Sequence, residues 1–239
     1  MTSPAKEKII IAVDAPDAAA AFKLIDTLAA EGCIFKIGLQ LFTAEGPSLV
    51  REIRSRGAKV FLDLKFHDIP NTAREAVRSA VALGVEMTTI HLAGGPAMVA
   101  AAVKAAEGSS TFVLGVTVLT SMSDADLNRI GVPRAASEQV LQLAGMGVDC
   151  GLRGVVASPL EIVLLREKFG NNLTIVTPGV RPAGSDAGDQ HRVLTPGEAI
   201  RLGADFLVIG RPITSAPSPR DAFLRIADEI LTARSGCSC

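Results

Sequence analysis

Ala58-Lys-Val-Phe-Leu-Asp63-Leu-Lys65-Phe-His67-Asp68-Ile-Pro-Asn-Thr72 is the stretch from which the rest of this chain is read. Its opening residues form an apolar run that predicts a buried strand. Stability gives such a strand no reason to end in Asp63, Lys65 and Asp68, because burying an unpaired charge is costly. Alternation along a strand places residues two apart on one face. Asp63 and Lys65 are therefore expected to point the same way and Leu64 the other. An ammonium beside carboxylates, where a strand opens into a loop, has the form of an active site.

Outward from this strand at 58–64, further strands are predicted over 8–13, 33–37, 86–91, 112–118, 154–157, 173–177 and 205–209. They are short, apolar on both faces and bounded by turn residues, as in a parallel sheet covered by helices. Helices are predicted over 17–30, 47–56, 72–83, 96–106, 136–147, 159–168, 196–202 and 219–233. Ser158-Pro-Leu-Glu161, Thr195-Pro-Gly-Glu198 and Thr72-Ala-Arg-Glu75 read as capping boxes, and Ser218-Pro219 opens the last helix. Asp17 stands where a cap for the first helix belongs. Gly57, Gly84 and Gly203 stand where left-handed caps would end helices. Eight strand–helix pairs predict a (β/α)8 TIM barrel, typically about 250 residues. We expect one domain over 1–239 with a short C-terminal tail at about 234–239. The competitor, a doubly wound open sheet, calls for a Gly-rich phosphate fingerprint after the first strand, and Val13-Asp14-Ala15-Pro16-Asp17 offers none.

Composition narrows the function. The chain carries 24 basic and 25 acidic residues, a balance that argues against general nucleic-acid affinity. The N-terminus is polar rather than signal-like, and no apolar run approaches the roughly 20 residues of a membrane helix. Cys33, Cys150, Cys237 and Cys239 fit no zinc spacing, so free thiols in a reducing cytoplasm are expected, with no metal.

In a barrel, function gathers where strands end. Those ends supply Asp14, Lys36, Asp63 and Lys65, His91, Thr120 and Ser121, Ser158, Arg181, then Gly210 and Arg211. Lysines, carboxylates and arginines thus collect on one rim. Ordinary readings compete with this: Asp14 as a cap, Lys36 as a side chain reaching solvent, Thr72 as a cap, and His67 and His91 as structural histidines. With Asp17 already in the cap position, Asp14 is assigned to the site, and an ion pair between Lys36 and Asp14 is expected. Arg181 and Arg211 come from the pair of strands that commonly builds a barrel's phosphate site. Gly210 lets backbone approach a dianion and Arg211 adds a bidentate contact. The polar segment 182–192 reads as a lid that brings Gln190 down onto that phosphate.

The stretch Asp63-Leu-Lys-Phe-His-Asp-Ile-Pro-Asn-Thr72 resembles the signature of orotidine 5′-phosphate decarboxylase of the bacterial type. The resemblance extends through Ala12-Val-Asp14, Phe35-Lys36-Ile-Gly, Val116-Thr-Val-Leu-Thr-Ser121, Pro178-Gly-Val-Arg-Pro182 with Asp189-Gln190, and Gly203-Ala-Asp-Phe-Leu-Val-Ile-Gly-Arg-Pro212. It implies cofactor-free decarboxylation of orotidine 5′-monophosphate to UMP, the last step of de novo pyrimidine synthesis. Lys65 would protonate C6, with Asp63 against the substrate carboxylate. Asp68, completing the catalytic charge network, and Thr72, contacting the ribose, would come from the partner subunit of a homodimer. Lys36 and Asp14 would hold the ribose, Thr120 and Ser121 the pyrimidine, and Gln190, Arg181, Gly210 and Arg211 the phosphate. Two rivals are a Mg2+-dependent sugar-phosphate enzyme that reuses the Asp-x-Lys pair, and a silent nucleotide-binding barrel.

Overall fold

The computed structural model describes residues 4–182 and 194–235. Its strands are β1 (Ile9–Ala12), β2 (Ile34–Gly38), β3 (Lys59–Phe66), β4 (Met87–His91), β5 (Phe112–Val116), β6 (Gly154–Val156), β7 (Thr174–Pro178) and β8 (Phe206–Ile209). They pair in chain order, all parallel, and β8 closes onto β1, so that Ile10 lies opposite both Ile34 and Val208. The helices among the described residues are α1 (Ala18–Leu28), α2 (Leu39–Ser55), α3 (Pro70–Ala82), α4 (Gly95–Ala105), α5 (Asp124–Arg129), α6 (Ala136–Asp149), α7 (Ile162–Phe169), α8 (Pro196–Leu202), α9 (Arg211–Thr214) and α10 (Pro219–Ser235). This is the (β/α)8 TIM barrel expected from the sequence.

Both faces of the strands are largely buried below the strand ends, which explains runs that do not alternate. Ile10, Ala12, Ile34, Phe61, Met87, Leu114, Val176 and Val208 point inward and fill the barrel. Their neighbours Ile9, Ile11, Phe35, Ile37, Val60 and Leu62 point outward and pack against Ile25, Leu28, Ile53 and Val77 of the helices. Full burial of one such side chain is worth roughly 1.5–3 kcal/mol. The barrel interior is therefore solid up to the level where the charged residues begin.

Several local signals act as read. Asp17 accepts from the Ala20 N–H, Thr195 and Glu198 form a reciprocal capping box, and Gly57, Gly84 and Gly203 have positive φ. Others act differently. The Thr72–Glu75 box does not form, because α3 begins at Pro70 and Thr72 is its third residue. Proline's fixed φ makes it a better first helical residue than threonine is a late cap, and Glu75 instead pairs with Arg74. Ser158 accepts from Leu160 and opens a single 3-10 turn, Pro159–Glu161, with α7 starting only at Ile162. The helix expected from 47 begins eight residues earlier, at Leu39: α2 is two helical pieces joined at Gly46, whose φ of 69° breaks the helix before Pro47. The short α5 was not expected at all, although Ser123 and Asp126 cap it reciprocally. Asp in place of Glu or Gln at the third helical position hid that box.

Candidate active site

The strand that opened the reading is irregular where its charges begin. On the β2 side its register is unbroken, from Ile34 opposite Lys59 to Gly38 opposite Asp63. On the β4 side Leu62 lies opposite Thr88 but Phe66 opposite Ile90, so positions 62 to 66 on β3 face only 88 to 90 on β4. The slack forms a bulge, and inside it sits Lys65. Its φ is 51°, the sole positive φ outside glycine among the described residues. A left-handed L-residue costs about 1–2 kcal/mol, so its surroundings must hold it there.

Those surroundings converge on Asp63. Lys65 and Asp63 do meet as expected, but through the bulge rather than by simple alternation. Lys65 Nζ lies 2.9 Å from both Oδ1 and Oδ2 of Asp63. Asp63 is 8% exposed, and its Oδ1 also accepts from Thr89 Oγ1 at 3.0 Å. Lys36 Nζ stands 3.5 Å from Oδ2. This corrects one expectation: Lys36 pairs with Asp63 on the adjacent strand, not with Asp14. Asp14 is exposed, whereas the buried Asp63 has the stronger demand for a cation. Gly38 gives Lys36 its place, since a Cβ there would come 3.2 Å from the ammonium.

A cavity of about 240 Å3 opens over this cluster, with Lys36, Asp63 and Lys65 on one wall, Val116, Val156, Pro178 and Val208 among those opposite, and Thr120 at its edge. A second of about 210 Å3 adjoins it and brings Asp14 to Lys36, Asp63 and Lys65. A larger one, about 540 Å3, is lined by Thr111 and Arg153, which lead into β5 and β6, and by residues such as Lys104 at the end of α4, and it contains none of the strand-end charges. Chemically, the smaller pair suits a flat, partly apolar ring with an anionic edge, next to a lysine able to donate a proton.

The other expected residues are distributed around this centre. Gly210 follows β8 beside Asp14, whose Oδ2 lies 3.6 Å from where a Cβ on Gly210 would stand. Arg211 is exposed at the start of α9. Arg181, after β7, donates through its backbone N–H to Leu194 O at 3.0 Å and through its guanidinium to Val180 O at 3.1 Å. Ser121 is exposed beyond Thr120. Asp68 and Thr72 line neither of the two adjoining cavities. They lie in a wholly exposed stretch, 67–72, in which Ile69 is 67% exposed and Asp68 accepts from the Ile69 N–H at 2.7 Å. Gln190 and the expected lid, beyond Pro182, fall outside the described residues, as does Cys237-Ser-Cys239. His91 packs against His67, ring centroids 5.5 Å apart. Burial first, then the proximity of His67 and Lys65, hold the His91 imidazole below its usual range. The sequence reading missed Thr89. Its only local signal was a second threonine in an apolar strand, Met87-Thr-Thr-Ile90.

A family model described as "Orotidine 5′-phosphate decarboxylase / HUMPS family" matches residues 7–226. The chain is 52% identical over 234 residues to orotidine 5′-phosphate decarboxylase of Moorella thermoacetica, covering 95% of this chain and 93% of that protein. It is 51% identical over 221 residues to the enzyme of the same name from Shewanella sediminis, covering 91% and 94%. Among solved structures, orotidine 5′-phosphate decarboxylase from Lactobacillus acidophilus superposes with a TM-score of 0.83 at 35% identity, covering 94% of this chain and 99% of that one.

Proposed function

The chain belongs to the orotidine 5′-phosphate decarboxylase / HUMPS family, and from that premise we propose that it converts orotidine 5′-monophosphate to UMP and CO2 without a cofactor, as the last step of UMP synthesis. The observation that carries this reading is the Lys65 ammonium, held 2.9 Å from the buried Asp63 at the edge of a largely apolar cavity. As the C6–carboxylate bond breaks, its electron pair stays on C6. A proton moves from Lys65 Nζ to that carbon, and water reprotonates the lysine.

The electron pair left on C6 lies in the plane of the ring, orthogonal to its π-system, so its stabilisation must come from fixed charge. Enzymes lower barriers by about 8–23 kcal/mol, and this reaction sits at the demanding end. Asp63 does two things in this reading. It fixes Lys65 before substrate arrives, and it faces the carboxylate that departs. Lys36 and Asp14 hold ribose hydroxyls and order the charges, while Thr120 and Ser121 meet the pyrimidine. Arg181, Gly210, Arg211 and, by the family resemblance, Gln190 grip the phosphate. That grip uses a remote part of the substrate to press the reacting end into place.

Asp68 and Thr72 are assigned to the neighbouring site of a homodimer. The support is their exposed position next to Ile69, a large apolar side chain left facing solvent. A cytoplasmic location goes with the reading, supported by the free thiols of Cys33 and Cys150.

The test is the loss of orotidylate ultraviolet absorbance with purified protein in EDTA. Rapid turnover is expected. Turnover that vanishes on chelation and returns with Mg2+ would overturn the mechanism in favour of the metal-dependent rival. A folded protein that binds UMP yet leaves orotidylate untouched would revive the silent barrel. Mixing Lys65→Ala with Asp68→Ala chains tests the shared site: one site per mixed dimer should regain activity, and a mixture as inactive as its parents would place Asp68 elsewhere.

A further inference from the structure

Thr89 is fully buried on β4 and shares the inward face of Met87. Its single hydroxyl does two things at once. It accepts from the backbone N–H of Lys65 at 2.9 Å and donates to Oδ1 of Asp63 at 3.0 Å. The preceding Thr88 is equally buried but faces outward, where its hydroxyl donates to the carbonyl of Leu62 at 3.1 Å. The two threonines thus serve the two faces of one strand, and only one of them touches the charged cluster.

We infer that Thr89 is a positioning residue for the reaction, the strut that keeps Lys65 in its left-handed conformation and sets the plane of the Asp63 carboxylate. The inference rests on the decarboxylase reading given above. A hydroxyl has one proton to give, and here Asp63 takes it. That choice turns a lone pair toward β3, where the N–H of Lys65 meets it inside the bulge. The carboxylate and the backbone turn are therefore coupled through one oxygen. A regular β3–β4 ladder would pair this N–H with a strand carbonyl; the bulge removes that partner and Thr89 replaces it. Without the hydroxyl, the N–H of Lys65 loses its acceptor and Asp63 loses the one donor on it, among the described residues, that is not an ammonium. The bulge is then free to relax and carry the ammonium away from C6. Displacements of about 1 Å at a reacting group can cost on the order of 100-fold in rate.

The experiment compares Thr89→Val, which keeps shape but not hydroxyl, with Thr89→Ser, which keeps the hydroxyl. Thr88→Val serves as the control on the opposite face. Steady-state decarboxylation, UMP affinity and urea unfolding are measured on each full chain. For Thr89→Val, kcat is expected to fall roughly 10- to 100-fold while KM and UMP affinity stay within about threefold. Thr89→Ser should keep kcat within about threefold of wild type. Thr88→Val should unfold at lower urea with kcat unchanged. The inference is overturned if Thr89→Val keeps wild-type kcat, if only its KM rises, or if Thr88→Val loses as much kcat as Thr89→Val. Should Thr89→Val not fold, Thr89→Ala against Thr89→Ser decides: a tenfold or larger gap in kcat supports the strut, and equal rates remove it. A folded wild type inert toward orotidylate overturns the decarboxylase reading and this inference together. An active wild type with an unaffected Thr89→Val overturns this inference alone.

Discussion

The two ends of this barrel use paired charge differently. Where strands begin, each carboxylate is met by partners that complete it. Glu86, just before β4, takes a guanidinium from Arg54 and the backbone N–H of Val60. Asp205, just before β8, repeats the arrangement with Arg166 and the N–H of Ile175. Glu31, before β2, lies between Lys6 and Arg220. Where strands finish, one carboxylate is shared by two ammoniums, those of Lys36 and Lys65. At the first end these pairs tie neighbouring elements together, and none of them lines either of the two adjoining cavities. The second opens onto a cavity that also brings Asp14 to the same charges. The same ion-pair chemistry thus ties elements together at one end and serves the proposed catalysis at the other, and what separates them is whether the charges open onto a cavity.

Substitutions can break this contrast. The largest effect is expected from Lys65→Ala: turnover should fall by roughly 10²–10⁴-fold, the usual cost of a lost general acid, with UMP affinity largely kept because the proposed phosphate contacts do not involve Lys65. Retention of more than about a tenth of wild-type turnover would remove Lys65 as proton donor. Next comes Arg166→Ala at the opposite end. That side chain donates to the carbonyls of Gly203, Gly170 and Leu173 as well as pairing with Asp205. Its loss should cost about 2–4 kcal/mol of stability in urea unfolding, with kcat unchanged. If instead kcat dropped and stability held, the division between the two ends would be wrong.

Arg211→Ala should weaken the enzyme through substrate binding. A charge-assisted hydrogen bond is worth about 1.5–3 kcal/mol, so kcat/KM should fall roughly 10- to 150-fold, with unfolding unaltered. The smallest effect belongs to Glu31. Hydrogen bonds from Lys6 and then Arg220 hold its carboxyl below the ordinary value of 4.5. Its folded pKa is depressed, so its contribution is complete above the unfolded value and is lost as pH falls through the folded one. Unfolding free energy measured from about pH 5 down to pH 3 should therefore decline less steeply in Glu31→Gln than in wild type. Identical slopes would mean that the Lys6–Glu31–Arg220 cluster adds nothing through protonation.

Much of this was legible in the chain because it depends on local pattern. Runs such as Ile9–Ala12 and Phe206–Ile209 are apolar on both faces, and only a covered parallel sheet uses such strands, so the barrel followed. The Asp63–Lys65 pairing was legible too, since charge at a strand end is conspicuous. What could not be read depends on how strands meet. The bulge on β3 arises from mismatch with β4, which no local window contains, and with it go the φ of Lys65 and the role of Thr89. The Lys36–Asp14 pairing failed for a related reason: strand adjacency names two candidate partners, and burial, a property of the assembled barrel, selects Asp63. Thr72 failed locally, where two start signals overlap and Pro70 prevails.

The one-sided misfit of β3 also bears on redesign. On its β2 flank the strand keeps perfect step, and on its β4 flank it carries all the slack. Copying Asp-x-Lys into another barrel would reproduce two residues on a regular strand and leave the lysine relaxed. The smallest portable unit is a strand pair, Leu62 to Phe66 together with Thr88 to Ile90, since the recipient must import the mismatch along with the residues it distorts.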